Sequence, residues 1–161
     1  MFSDICWDIK SGKIIQEFKN WGKLYKIEFE ITVTHQPVSA WTNVFHFTAN
    51  AENSNYGDRI PAMYININRF EISSAVDGIK NYVFYTSFEL GRKYKFIIQQ
   101  FKASGTYWYE IIKDDKSELK IQNTQPQSFS NVKLYGSNPW VPSFFSSWGS
   151  ICNVHIDQHE G

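Results

Sequence analysis

The residues best suited to chemistry sit in the polar stretch from Asn50 to Arg59, where Asn53, Asn55, Tyr56, Asp58 and Arg59 cluster around Gly57. Side-chain amides and a carboxylate on such a loop can give oxygen ligands to calcium, or donors and acceptors to sugar hydroxyls. The same residues also suit a solvated loop in which Asn and Asp make Asx turns and Arg59 pairs with Asp58. Calcium takes about six to eight oxygens, so a site on Asp58 needs a second carboxylate. Asp77 is the candidate, provided that the fold brings it close.

A second cluster lies near the end of the chain, where Tyr135, Asn138, Trp140, Phe144, Phe145 and Trp148 crowd one segment stiffened by Pro139 and Pro142. Flat rings on a rigid loop can stack on the apolar face of a pyranose or anchor a protein partner. They can equally fold back as a lid over an open end of the domain. The ligand-binding expectation therefore rests on Asn53, Asn55, Tyr56, Arg59, Tyr135, Asn138, Trp140 and Trp148, and the metal expectation on Asp58 and Asp77.

Signals for catalysis are sparser. Glu28 and Glu30 lie two apart, on one side of an alternating segment. Paired carboxylates about 5 to 9 Å apart, with environments that split their acidities, cleave glycosidic bonds. Here Lys26, Thr32 and Thr34 share that side, which describes a charge-mixed surface facing water, and no Glu-x-Asp-x-x-Glu array is present. His35, His46, His155 and His159 show no metal-ligand spacing. No Gly-x-Ser-x-Gly nucleophile elbow occurs.

The elements that must position these residues are strands. Tyr25, Ile27, Phe29, Ile31 and Val33 alternate with Lys26, Glu28, Glu30, Thr32 and Thr34, the period of a half-buried strand. Similar segments predict twelve strands, near 4–9, 13–18, 24–34, 42–49, 60–67, 69–75, 79–87, 93–101, 106–113, 117–123, 130–135 and 150–157. Asp77-Gly78 and Ser104-Gly105 read as tight hairpins. The segments 35–41, 50–59 and 136–149 are too long for simple turns, and long loops on a rigid scaffold are where binding residues collect. With no linker, repeat or low-complexity tract, residues 1–161 read as one all-β domain, a two-sheet antiparallel sandwich.

The 161 residues are enough for a sizeable core. An aromatic content of 17% exceeds what such a core needs, which places some rings on faces or loop tips. Sixteen basic and sixteen acidic residues balance to zero, which argues against electrostatic capture of nucleic acid. No apolar run is long enough for a membrane span. Cys6 and Cys152 stand near the two ends, each in a β-like segment, and form either one disulfide or two buried thiols.

The segment Phe88 to Gln100 (FELGRKYKFIIQQ), followed by Tyr107 to Lys116 (YWYEIIKDDK), resembles the core of laminin G-like and other concanavalin A-like domains. Trp41 with Asn43 to Thr48 (NVFHFT), Arg59 to Ile65 (RIPAMYI), Phe129 to Gly136 and Ile151 to Ile156 are similar to neighbouring parts of such domains. The departures are Lys93-Tyr94, where that family often carries Trp-His, and Trp21-Gly22-Lys23-Leu24, which lacks the Glu of galectin-type sugar binders. Legume-lectin metal signatures are absent.

The resemblance implies a jelly roll used to bind sugars or extracellular proteins, often with calcium and sometimes for glycan hydrolysis. The resulting expectation is a non-catalytic, secreted or extracellular, lectin-like carbohydrate-binding domain, with calcium as a candidate organiser. The alternatives are a laminin G-like adhesion module contacting another protein, and a glycan hydrolase using Glu28 and Glu30.

Overall fold

A computed structural model describes residues 5–7, 10–36, 41–141 and 148–160. Its strands form two antiparallel sheets. One runs in the order β1 (Ile14–Trp21), β10 (Phe129–Tyr135), β3 (Thr42–Thr48), β4 (Ala62–Asn66), β5 (Arg69–Val76), β6 (Ile79–Ser87). The other runs β11 (Gly149–His159), β2 (Leu24–Val33), β7 (Lys93–Ala103), β8 (Thr106–Lys113), β9 (Lys116–Gln122). Together they make a jelly-roll sandwich.

The alternation in β2 works as its sequence implies: Tyr25, Ile27, Phe29, Ile31 and Val33 are buried between the sheets, and Lys26, Glu28, Glu30 and Thr32 point away. Phe29 stacks on Phe96 of its own sheet at 5.5 Å and meets Phe45 of the opposite sheet edge-on at 5.2 Å. Each large side chain so buried is worth about 2 kcal/mol of transfer free energy, which makes this cluster the main stabilising element. Asp77-Gly78 and Ser104-Gly105 are tight turns with positive φ at both residues, the conformation that matches strand twist in a two-residue hairpin. Asp114-Asp115 turns the same way.

The segment 4–9 departs from expectation. Its described residues form no strand; Cys6 makes an isolated bridge to Cys152, flanked by Trp7 N–H on Ile151 O (3.0 Å) and Asn153 N–H on Ile5 O (2.7 Å). The reason lies in β11, whose register breaks between Cys152 and His155, with Asn153 at φ 53°. A bulge of this kind ends ladder pairing after a residue or two. Cys6 and Cys152 are joined as a disulfide across a separation of 146 residues, resolving the alternative left open by the sequence.

Most strands bury one face. β3 and β4 bury both, and β5 buries all of its residues except Arg69. The outer face of the six-stranded sheet is therefore covered along β3, β4 and β5, and what covers it there defines the site.

Candidate functional site

On β3, Phe45 and Phe47 enter the core, so His46 and Thr48 point outward, while the register shift between Asn43 and Phe45 breaks the alternation at Asn43, whose Oδ1 accepts Asn138 N–H; all three are buried. His46 is paired with Tyr135 on one side and Ala62 on the other. Its Nε2 lies 2.6 Å from the carbonyl oxygen of Asp58 and its Nδ1 lies 2.7 Å from Nδ2 of Asn138. A carbonyl can only accept, so Nε2 carries the proton and Nδ1 accepts from the Asn138 amide. The loops 50–59 and 136–141 thus meet over one histidine. Burial holds that imidazole neutral, with its pKa lowered to about 4.

Both loops are tied down by their own polar groups. The Asp58 carboxylate accepts Ala51 N–H at 3.1 Å and Asn55 N–H at 2.8 Å. Thr48 Oγ1 donates to Ala51 O, and Asn81 Nδ2 and Lys80 Nζ donate to the carbonyls of Asn53 and Ser54, laying the loop across β5 and β6. Asn138 receives Trp140 N–H and Val141 N–H on Oδ1 and donates its own N–H to Asn43 Oδ1.

Beside this anchor, Arg59 lies over the ring of Tyr64 at 5.0 Å while its Nε donates to Glu52 O. Trp41 meets Tyr64 edge-on at 6.1 Å, and Trp140 meets His46 and Tyr135 at 5.5 and 5.8 Å. Tyr64 is directly opposite Glu71, and Glu71 is opposite Tyr85, whose ring carries the Arg69 guanidinium at 3.9 Å. Trp41, Tyr85 and Trp140 keep roughly two-fifths of their surface in water.

Beneath them Tyr64, Glu71 and Ser73 are buried, and Tyr64 Oη, Glu71 Oε2 and Ser73 Oγ make no hydrogen bond. A buried polar atom left unpaired costs about 1–3 kcal/mol, and here three lie on adjacent positions of one face. Burial pushes the Tyr64 phenol up to about 12. Burial also raises the Glu71 carboxyl, against the opposing pull of a Tyr85 hydrogen bond and of Arg59 and Arg69. The Tyr64 phenol therefore keeps its proton at neutral pH, and the Glu71 carboxylate is a stronger base than an exposed one.

Several residues expected at a ligand surface stand elsewhere. Trp148 is fully buried in the core, and its carbonyl accepts Thr34 N–H and His35 N–H. Asn138 is also fully buried, with its amide bonded to the protein, so in this structure it positions the loop. Tyr56 turns away to another end of the sandwich, its hydroxyl on Gln125 O and its ring against Phe129.

Asp77 sits in the β5–β6 turn and accepts from the backbone and hydroxyl of Thr124, which hold its carboxyl below the usual range. Asp58 and Asp77 thus serve the backbones of two different turns. Among the described residues no group of three or more His, Cys, Asp or Glu side chains gathers into a cation site. Asn53, Asn55, Arg59, Tyr135 and Trp140 do lie on or around the outer face. Pro142, Phe144 and Phe145 fall outside the described residues.

Glu28 and Glu30 lie on the outer side of the other sheet, paired with Lys26 at 3.5 Å and Lys93 at 3.4 Å. They form the charge-mixed surface that their neighbours suggested. The residues that sequence reasoning missed are His46, Tyr64, Arg69, Glu71, Ser73 and Tyr85. For Tyr64, Glu71 and Ser73 the signal is faint: polar residues alternating with Met63, Ile65, Phe70 and Ile72 in two consecutive strands.

No family model matches this chain, and no curated protein matches it by sequence. Solved structures do match. A family 7 alginate lyase in complex with substrate superposes with a TM-score of 0.55 at 11% identity, covering 88% of this chain and 64% of that one. An alginate lyase from Pseudomonas aeruginosa gives 0.56 at 14%, covering 87% and 68%. A pentraxin from Limulus polyphemus gives 0.56 at 11%, covering 89% and 67%. The chain spans about two thirds of the length of these proteins.

The expectation of a non-catalytic binding domain, and of a chain that is no enzyme, is corrected by this result, because enzymes that act on a glycan share the architecture. Among the described residues no helix is long and apolar enough to cross a membrane. At these identities the likeness speaks to architecture, and the fold is a concanavalin A-like jelly roll.

Proposed function

We propose that this chain acts on an acidic polysaccharide, cleaving it by β-elimination on the outer face of the six-stranded sheet. The observation that carries the reading is the gathering, on one face, of two guanidinium groups, Arg59 and Arg69, with two buried titratable groups, Tyr64 and Glu71. Elimination from a uronate begins with loss of the proton next to its carboxylate. That proton becomes acidic when fixed positive charge neutralises the carboxylate, which is the task of Arg59 and Arg69. Trp41, Tyr85, Tyr135 and Trp140 supply ring faces and edges for sugar stacking, and the amides of Asn53 and Asn55 supply contacts at the rim. The alginate lyases of similar architecture support the substrate class. The Cys6–Cys152 disulfide supports a secreted or extracellular setting, where such bonds persist.

The test is incubation with alginate, pectate and hyaluronan, with a neutral glucan as control, following both new reducing ends and the ultraviolet absorbance of an unsaturated uronate. Absorbance rising with a polyuronate and not with the glucan is the expected result. Reducing ends without absorbance would mean hydrolysis, and no product from any uronate polymer would refute the reading outright.

A further inference from the structure

We infer that Glu71 and Tyr64 are the proton-transfer pair of this site, Glu71 taking the proton from the sugar carbon and Tyr64 giving one to the leaving oxygen. The inference rests on the elimination reading above and assigns its catalytic residues.

It follows from asking which titratable groups on the face still have an atom to offer. His46 uses both ring nitrogens, and both carboxylate oxygens of Asp58 accept backbone N–H groups. Tyr64 Oη and Glu71 Oε2 are unpaired, and the two residues are direct partners on β4 and β5. Side chains at directly opposed positions start about 5 Å apart at Cβ, close enough to act on neighbouring atoms of one sugar linkage.

Side chains lie over this pair. Arg59 lies over Tyr64, while Arg69 is stacked on Tyr85 beside Glu71. A uronate carboxylate drawing both guanidinium groups onto itself uncovers the pair by rotamer changes alone.

The chemistry balances without a co-reactant. The Glu71 carboxylate accepts the proton on the carbon next to the uronate carboxyl, and that C–H electron pair becomes the new carbon–carbon double bond. The glycosidic C–O bond breaks, and its oxygen takes the phenolic proton of Tyr64. One product carries an unsaturated uronate, the other a free hydroxyl, and the proton on Glu71 returns to the Tyr64 phenolate across the ladder. Burial keeps the phenol protonated until the leaving oxygen needs it, and it makes the carboxylate a stronger base than an exposed one.

The experiment compares wild type with Glu71→Gln, Tyr64→Phe and, as a control on the opposite sheet, Glu28→Gln. Initial rates on the polyuronate that the wild type turns over are read with thermal unfolding of every variant. E71Q and Y64F are expected to lower kcat by on the order of 10²–10⁴-fold, with KM changed far less, while E28Q matches wild type. Because no group meets Tyr64 Oη at hydrogen-bond distance and angle, and the nearby Asn138 amide is already bonded to His46, Y64F is expected to unfold at the same temperature as wild type or higher.

A kcat within threefold of wild type in E71Q or Y64F would overturn the assignment. So would a Y64F variant destabilised as though it had lost a hydrogen bond, a readout that stands whether or not substrate is turned over. A wild type inactive on every polyuronate would instead defeat the elimination reading itself.

Discussion

Acidification should loosen this domain through a single histidine. His46 is completely buried and neutral, with both nitrogens engaged, and its pKa lies at about 4 against 6.5 for a free imidazole. Between those values the unfolded chain binds the proton and the folded chain does not, so stability rises with pH across that window. The contribution is complete above pH 6.5 and is lost progressively as pH falls towards 4. The full gap corresponds to about 3 kcal/mol, and about 2 kcal/mol of it is gone by pH 5.

The variant His46→Gln keeps an amide N–H for the Asp58 carbonyl but does not titrate. Urea unfolding of wild type and variant at pH 7, 6, 5 and 4.5 isolates the effect as a difference between the two proteins. Other groups titrate in both and cancel. Glu71 is one of them, its raised carboxyl giving stability that is present at low pH and lost as pH rises. The wild-type advantage is expected to shrink by about 2 kcal/mol from pH 7 to pH 5. A difference that stays constant across that range would refute the claim that His46 is held neutral as the joint between the two loops.

Two further outcomes follow from the scaffold. Replacing Cys6 and Cys152 together by Ser should lower unfolding stability by about 3–5 kcal/mol, the loop-closure entropy for a bond spanning 146 residues, read as a lower urea midpoint than the oxidised wild type. Gly22→Ala should cost at least about 3 kcal/mol or abolish folding, because a Cβ there would lie 1.7 Å from the carbonyl oxygen of His159. A G22A protein with a wild-type melting temperature would show that the turn between β1 and β2 does not sit against the end of β11.

Strand positions and most turns were legible in the chain itself. Alternation in β2 and β7 and the Asp77-Gly78 and Ser104-Gly105 turns are local consequences of side-chain direction and of residues that tolerate positive φ. Residues 79–87 and 106–113 were bounded correctly to the residue. The site was read only in outline. Arg59, Tyr135 and Trp140, expected at a surface from their types, do lie around the outer face of the six-stranded sheet.

Trp148 and Asn138 have the same composition signal and went inside, because burial is set by which way a loop folds back, and no local pattern encodes that. His46, Tyr64 and Glu71 looked like ordinary outward residues on strands. They became a site when two loops more than seventy residues apart in sequence closed over the same sheet face.

What the sequence by itself determined is therefore the class of structure. Period-two patterning and turn chemistry operate over a few residues, and they dictate strands, hairpins and a sandwich wherever they occur. Tertiary structure decided everything that depends on distance along the chain: the Cys6–Cys152 link, the meeting of loops 50–59 and 136–141 over His46, and the burial of unpaired Tyr64 and Glu71 atoms on an outward face. Such contacts draw on packing and hydrogen bonding between segments that share no local code, so they exist only once both sheets and their covering loops are in place.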